Sequence, residues 1–298
     1  MCNSPDHSAG NIELMSFLKN VVKKTSIVSL LHGSMSAYDK HRGIDEVHAS
    51  DMTRAEEFCP KEYAIHHTIG KAKKGFAIAA PMRHTFDMGV DIGNRVCNEY
   101  LVEFALGDWK CASCNAVRSF QKKPKTGCDR QDVNCNWRYE EVRLKIPPIT
   151  CGFDLFLDVG KPKARLIELK TIIKEKFVEL KAPLAEHRLR TNLYLRMIAE
   201  SPLEDRVETD IGHVLYIAKS YGNWNPDEGI LTPFKEYGVE RDDTQTDAMV
   251  ARAAEYKTYR ETGKIPKRIC ASATCKRAKT CKVVQECFSG KFKSGATI

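Results

Sequence analysis

Two short apolar runs, Gly152 to Asp158 and Ala164 to Thr171, constrain this chain more than any other feature because they carry ionisable groups inside strand-like sequence. Both have the hydrophobic, period-two character of β-strands, and Val159-Gly160-Lys161-Pro162-Lys163 between them reads as a turn. A hairpin symmetric about Lys161 puts Asp154 across from Glu168, whereas a slip of one residue sends the two to opposite faces. Along the second run Leu166, Glu168 and Lys170 share one face, and Ile167, Leu169 and Thr171 share the other. Asp154, Glu168 and Lys170 therefore converge.

Two carboxylates facing across a hairpin can hold a hard divalent cation such as Mg²⁺ or Mn²⁺, which prefers oxygen ligands and keeps waters that reach a phosphate. The adjacent ammonium of Lys170 would orient or help deprotonate an attacking water and offset charge on the pentavalent phosphorus. Taken alone, Glu168-Leu169-Lys170 is a common tripeptide and reads as the solvated edge of an amphipathic strand; its context points to the metal site.

The wider context is an ordered set of segments. It comprises Phe58-Cys59-Pro60, Arg83 to Gly89 opening a helix, the Asp154 and Glu168-x-Lys170 core, Asn192-Leu193-Tyr194-Leu195 on a later helix, Val214 to Lys219 on a later strand, and a terminal cysteine group. From Cys59 to Phe288 this order resembles the RecB-like branch of the PD-(D/E)XK nucleases, especially the CRISPR-associated exonuclease type and its phage-encoded relatives. The resemblance implies an α/β fold: a restriction-endonuclease-like mixed sheet flanked by helices, with an inserted zinc ribbon and a C-terminal iron–sulfur segment. It also implies DNA contacts from Arg190, Tyr194 and Lys219.

Two positions depart from that pattern. Where the family often has a metal-binding His on the first helix, in Gly-x-x-x-His, this chain reads Gly89-Val90-Asp91-Ile92-Gly93. Either Asp91 serves as the first-helix ligand, or Asp154 and Glu168 work with extra water. The Gln-x-x-x-Tyr helix motif is Arg190-Thr191-Asn192-Leu193-Tyr194 here, so an arginine stands in the glutamine position.

Twelve cysteines in 298 residues, with no apolar signal-peptide run and no stretch long enough to span a membrane, point to a reducing cytoplasm and metal binding. Cys270, Cys275, Cys281 and Cys287 cluster in one basic segment. The resemblance joins one early cysteine, Cys59, to three late ones around a [4Fe–4S] cluster, which leaves one of these five thiols spare. A zinc site confined to the C-terminal segment, or simply buried thiols, is the alternative. Within the insertion at 107–137, Cys111 and Cys114 have zinc-knuckle spacing, and Cys128 and Cys135 form a wider second pair. A lysine-rich loop of that length has no core of its own, which favours a four-cysteine zinc ribbon over free thiols.

The expected organisation is a helical or irregular segment at 1–50, then a nuclease domain at 51–298 with the insertion at 107–137 and a cysteine-rich segment at 265–290. Within it the sequence predicts helices at 87–106, 183–200 and 243–262, and strands near 139–146, 149–159, 164–172 and 212–219. The net charge of +8 is unevenly placed, with eleven Lys or Arg against two Glu from Lys257 to Ile298. Such an end suits a polyanion, although a solvated basic tail gives the same composition. Three functions fit: a metal-dependent DNA exonuclease acting in phage DNA replication, recombination or repair, a DNA-binding accessory protein that kept the fold without turnover, or an iron–sulfur and zinc interaction module working with a helicase or recombinase.

Overall fold

The computed structural model describes residues 31, 45–54, 58–69, 80–127, 135–219 and 232–297. The expected N-terminal helical segment thus lies almost wholly outside the described residues, as does Cys128. The chain divides into two units, 1–42 with 74–87, and 43–73 with 88–298. What is described of the first is Leu31 and residues 80–87; the remainder concerns the second.

The main sheet is mixed and seven-stranded. Its strands are β2 (Ala105–Cys111), β3 (Val117–Gln121), β4 (Trp137–Glu140), β7 (Leu155–Leu157), β8 (Arg165–Ile172), β9 (Ile211–Ala218) and β10 (Phe234–Glu240), in the order β10-β9-β8-β7-β2-β3 with β4 on β2. A three-stranded sheet joins β1 (Val47–His48), β6 (Ile149–Phe153) and β5 (Val142–Ile146). Helices are α1 (Ala49–Met52), α2 (Pro60–Thr68), α3 (Ala80–Arg95), α4 (Lys174–Glu179), α5 (Ala185–Ala199), α6 (Thr244–Thr262) and α7 (Val284–Phe288).

β8 lies inside the sheet, parallel to β9 and antiparallel to β7. A strand between two neighbours and covered on both faces must be apolar on both, and β8 follows this rule. Leu166 enters a core with Phe153, Phe156, Leu193 and Tyr194, while Ile167 enters a second core with Val96, Trp109 and Ile217. Helix α5 covers the first face, and α3 crosses the second so closely that a Cβ on Gly89 would sit 2.9 Å from Thr171 Oγ1. Glu168-Leu169-Lys170 is therefore an interior strand segment, and the solvated-edge reading does not hold.

The sequence-based boundaries needed four changes. The helix expected at 87–106 already runs at Ala80 and stops at Arg95, a π-helical turn occupies Val96–Tyr100, and β2 starts at Ala105. The strand expected at 139–146 is two strands in different sheets, since β4 pairs with β2 and β5 with β6. The run at 149–159 breaks at Asp154, where the chain leaves the smaller sheet for the larger. β10, with its exposed and half-buried residues alternating around Gly238, carries too weak an apolar pattern to be read in advance.

The insertion is not built as a detached loop. β2 leaves the main sheet beside β7 and continues outward, pairing with both β3 and β4. The C-terminal segment packs back on α2, tied by Lys61 Nζ to Ser294 Oγ, and closes on itself through Ile265 N–H to Ala296 O.

Candidate active site

The β7–β8 register pairs Leu155 with Ile167, Phe156 with Leu166 and Leu157 with Arg165, which places Asp154 opposite Glu168, just past the end of the ladder. At the break, Asp154 Oδ2 accepts the Leu169 amide at 2.8 Å and the Lys170 ammonium at 3.4 Å. Lys170 Nζ also lies 2.5 Å from Glu168 Oε1, so one ammonium sits between two carboxylates. Arg190, reaching down from α5, donates Nη1 to the same Glu168 oxygen at 3.4 Å and Nε to Thr53 Oγ1 at 3.2 Å.

Glu168 is only 1% exposed, because its strand face lies beneath α5. Burial first, and the Asp154 charge second, push its carboxyl up to about 7 despite Lys170 and Arg190. Burial works against the Lys170 ammonium, but Asp154 and Glu168 outweigh it and raise its pKa. Glu168 Oε2 is the decisive atom. It is buried and among the described residues has no hydrogen-bond partner, while Oε1 takes both cations. An orphaned buried carboxylate oxygen costs about 1–3 kcal/mol or more, so it calls for a ligand the protein does not itself supply.

The other residues singled out in the sequence fall into different places. Tyr194 is 5% exposed and packs edge-on against Phe153 at 4.9 Å, so its ring supports the core beneath Glu168 and is not offered to a base. Asp91 is exposed on α3, and among the described residues no group of three His, Cys, Asp or Glu side chains is arranged around a single ion. Lys219, at the end of β9, has its ammonium near Gly89, and burial lowers its pKa. His187 was not anticipated. It lies on α5 three residues before Arg190 and shares a 2.7 Å hydrogen bond with the Tyr216 hydroxyl, on the strand neighbouring Lys170. Burial, then Lys170 and Arg190, pull its pKa down to about 3. Its only sequence signal is helical spacing from Arg190, which cannot be told from that of any helical histidine.

The thiols singled out in the sequence form two separate groups, while Cys97 and Cys151 are buried in the two cores. One cavity is lined by Cys59, Cys270, Cys281 and Cys287, whereas Cys275 does not line it. Cys275 instead accepts the Ala278 amide at 3.4 Å. Arg277 closes one side, donating to Glu62 at 2.5 Å and approaching Cys270 Sγ at 3.9 Å. In the insertion, desolvation works to raise the Cys111 thiol, but the amides of Cys114 and Ser113 bring it down to about 7. Asn115 follows with φ of 60°, closing the turn of a knuckle. Cys135 is disulfide-bonded in this structure, and Cys128 lies outside the described residues.

No protein-family model and no curated protein matches the chain. Among solved structures it is similar to the protein SSO0001, at 13% identity and a TM-score of 0.41, over 90% of this chain and 98% of that one. It is also similar to an alkaline exonuclease from Laribacter hongkongensis, at 11% identity and a TM-score of 0.41, over 78% of this chain and 92% of that one. Neither likeness is close enough to assign an activity.

Proposed function

We propose that the chain is a divalent-metal-dependent deoxyribonuclease of the PD-(D/E)XK kind, an exonuclease hydrolysing DNA phosphodiester bonds. The observation that carries this reading is the Oε2 of Glu168, orphaned among the described residues, beside Asp154 at the strand break, with a lysine between the two carboxylates. Asp154 and Glu168 would hold Mg²⁺ or Mn²⁺, which supplies Lewis acidity at a phosphate and a water of lowered pKa. Lys170, between the two carboxylates, would orient or help deprotonate the attacking water and offset developing negative charge. Arg190 positions Glu168 and offsets its charge. The amide of Leu169 fixes the Asp154 carboxylate from the backbone. The rest of the metal shell would come from Asp91 on α3 or, since among the described residues no third acidic side chain gathers with Asp154 and Glu168, from water.

Two other centres belong to this proposal. Zn–S bonds of about 2.3 Å require four thiols to crowd one point, whereas a cluster of four irons needs thiols spread around a cavity. Cys59, Cys270, Cys281 and Cys287 line one cavity, and we assign these four as the [4Fe–4S] ligands, with Cys275, which does not line it, as the spare thiol. Zinc in the insertion rests on the Cys111 and Cys114 knuckle alone.

The test is cleavage of single- and double-stranded DNA with Mg²⁺ or Mn²⁺. Wild type should cut only with metal, Asp154→Asn should not cut, and Lys170→Ala should fall by about a hundredfold or more with unchanged circular dichroism. DNA binding without cleavage by wild type would replace the hydrolase with an accessory binding protein.

A further inference from the structure

The Arg190 guanidinium is held at two points, and one of them lies outside the carboxylate hairpin. Its Nε donates to Thr53 Oγ1 at 3.2 Å, while Nη1 meets Glu168 Oε1 at 3.4 Å. Thr53 caps the C-terminus of α1 and is 1% exposed. Its hydroxyl has one proton, which goes to Ala49 O at 3.2 Å, so the lone pairs are left to accept from Arg190. A single helical turn does not hold its own shape, and α1 is anchored from α2 by the Tyr63 hydroxyl, which donates to the buried Asp51 Oδ2 at 2.6 Å. The Thr53 oxygen is thereby a fixed point beside the site.

That fixed point decides what Arg190 does to Glu168. An arginine fork that faces a carboxylate freely tends to close on both of its oxygens. With Nε spent on Thr53 the plane of the guanidinium is set, and Nη1 meets Oε1 alone. Oε2 is left buried and, among the described residues, without a hydrogen-bond partner. It is the oxygen on which a cation would settle.

We propose that Thr53 is a positioning residue of this centre: its hydroxyl pins Arg190 to Oε1 of Glu168 and so keeps Oε2 open to the divalent metal. Thr53 acts through Arg190 and not on the metal itself, and its role rests on the hydrolase reading of the same centre.

The experiment is calorimetric titration of Mn²⁺ into the full-length chain without DNA, counting only the binding that wild type shows and Asp154→Asn lacks. Thr53→Val, which keeps the shape and removes the oxygen, should weaken that binding about tenfold, the scale for losing a residue that orients a metal ligand. Thr53→Ser should restore it. Thr53→Ala removes the same oxygen and carries the test if Thr53→Val does not fold. In an Arg190→Met background no fork is left to close on Oε2, so adding Thr53→Val should change the affinity by no more than about twofold. A lowered denaturant midpoint in Thr53→Val and Thr53→Ala with unchanged Mn²⁺ affinity would make Thr53 a cap of α1 only and overturns the proposal. So does an equal loss of affinity with and without Arg190. Wild type that binds no Mn²⁺ beyond what Asp154→Asn binds removes the hydrolase reading itself, and this role with it.

Discussion

The carboxylate hairpin and the cysteine-rich C-terminal segment are built in opposite ways. In the hairpin, backbone ladders on both sides of β8 set each side chain, and the site's distances follow from register. Over residues 265–297 the only regular pieces are a 3₁₀ turn at Ala278–Thr280 and the five-residue α7. That segment is held by side chains reaching α2: Arg277 to Glu62, Lys61 to Ser294, and thiols facing across a cavity. A site on a ladder is formed before its ligand arrives, whereas a segment with so little backbone pairing leans on whatever fills its cavity.

The sharpest way to break this contrast is to remove each ligand set in turn. Cys59→Ala should bleach the broad absorption near 400 nm expected of a thiolate cluster and cost several kcal/mol, read as a fall in the denaturant midpoint. Cys275→Ala should keep both colour and midpoint. Chelating the divalent metal should lower the thermal unfolding midpoint of wild type far less than Cys59→Ala does, because the hairpin is held by β7, β8 and β9 whether or not metal is bound. A large stabilisation by Mg²⁺ alone would erase the distinction.

A smaller effect is expected at Arg277, whose guanidinium joins the segment to Glu62 on α2. Arg277→Met should cost about 2 kcal/mol, the scale for a charge-assisted hydrogen bond, and should speed hydrogen exchange across 265–297 more than in β8. Uniform exchange through both regions would mean that they unfold as one.

His187 sharpens the other side. Its pKa in the fold lies at about 3 against 6.5 for an ordinary histidine, so the unfolded chain binds the extra proton first. Stability should therefore be full above pH 6.5 and should fall as the pH drops from about 6.5 towards 3, by at most about 1.4 kcal/mol per pH unit from this group. His187→Gln should flatten that part of the profile, as measured by denaturant midpoints. An unaltered profile would place the acid sensitivity elsewhere.

What could be read from the sequence follows the same division. Asp154, Glu168 and Lys170 were legible because a two-residue period and a short turn together fix which side chains meet. Arg190 was visible, but its partner was not: only the packing of α5 over β8 turns it towards Glu168. The core placement of Tyr194 was hidden for the same reason, since a helix sequence does not say what lies beneath it. Cysteine spacing puts the terminal thiols together, yet two equal five-residue gaps cannot choose among them, and only the fold shows that Cys270, Cys281 and Cys287 line one cavity with Cys59 while Cys275 does not. The end of α3 was misjudged because Val96 to Leu106 is apolar enough to continue a helix, and only β7 beside it makes Ala105 a strand residue.

One hydrogen bond turns the carboxylate centre into something a spectrometer can follow. The Leu169 amide points at Asp154 Oδ2, at the place where the β7–β8 ladder has run out. Its proton is thereby a built-in reporter of that carboxylate. A change in the charge or ligation of Asp154 shifts one backbone resonance in the middle of the chain, so occupancy can be titrated residue-specifically without substrate, turnover or an attached label.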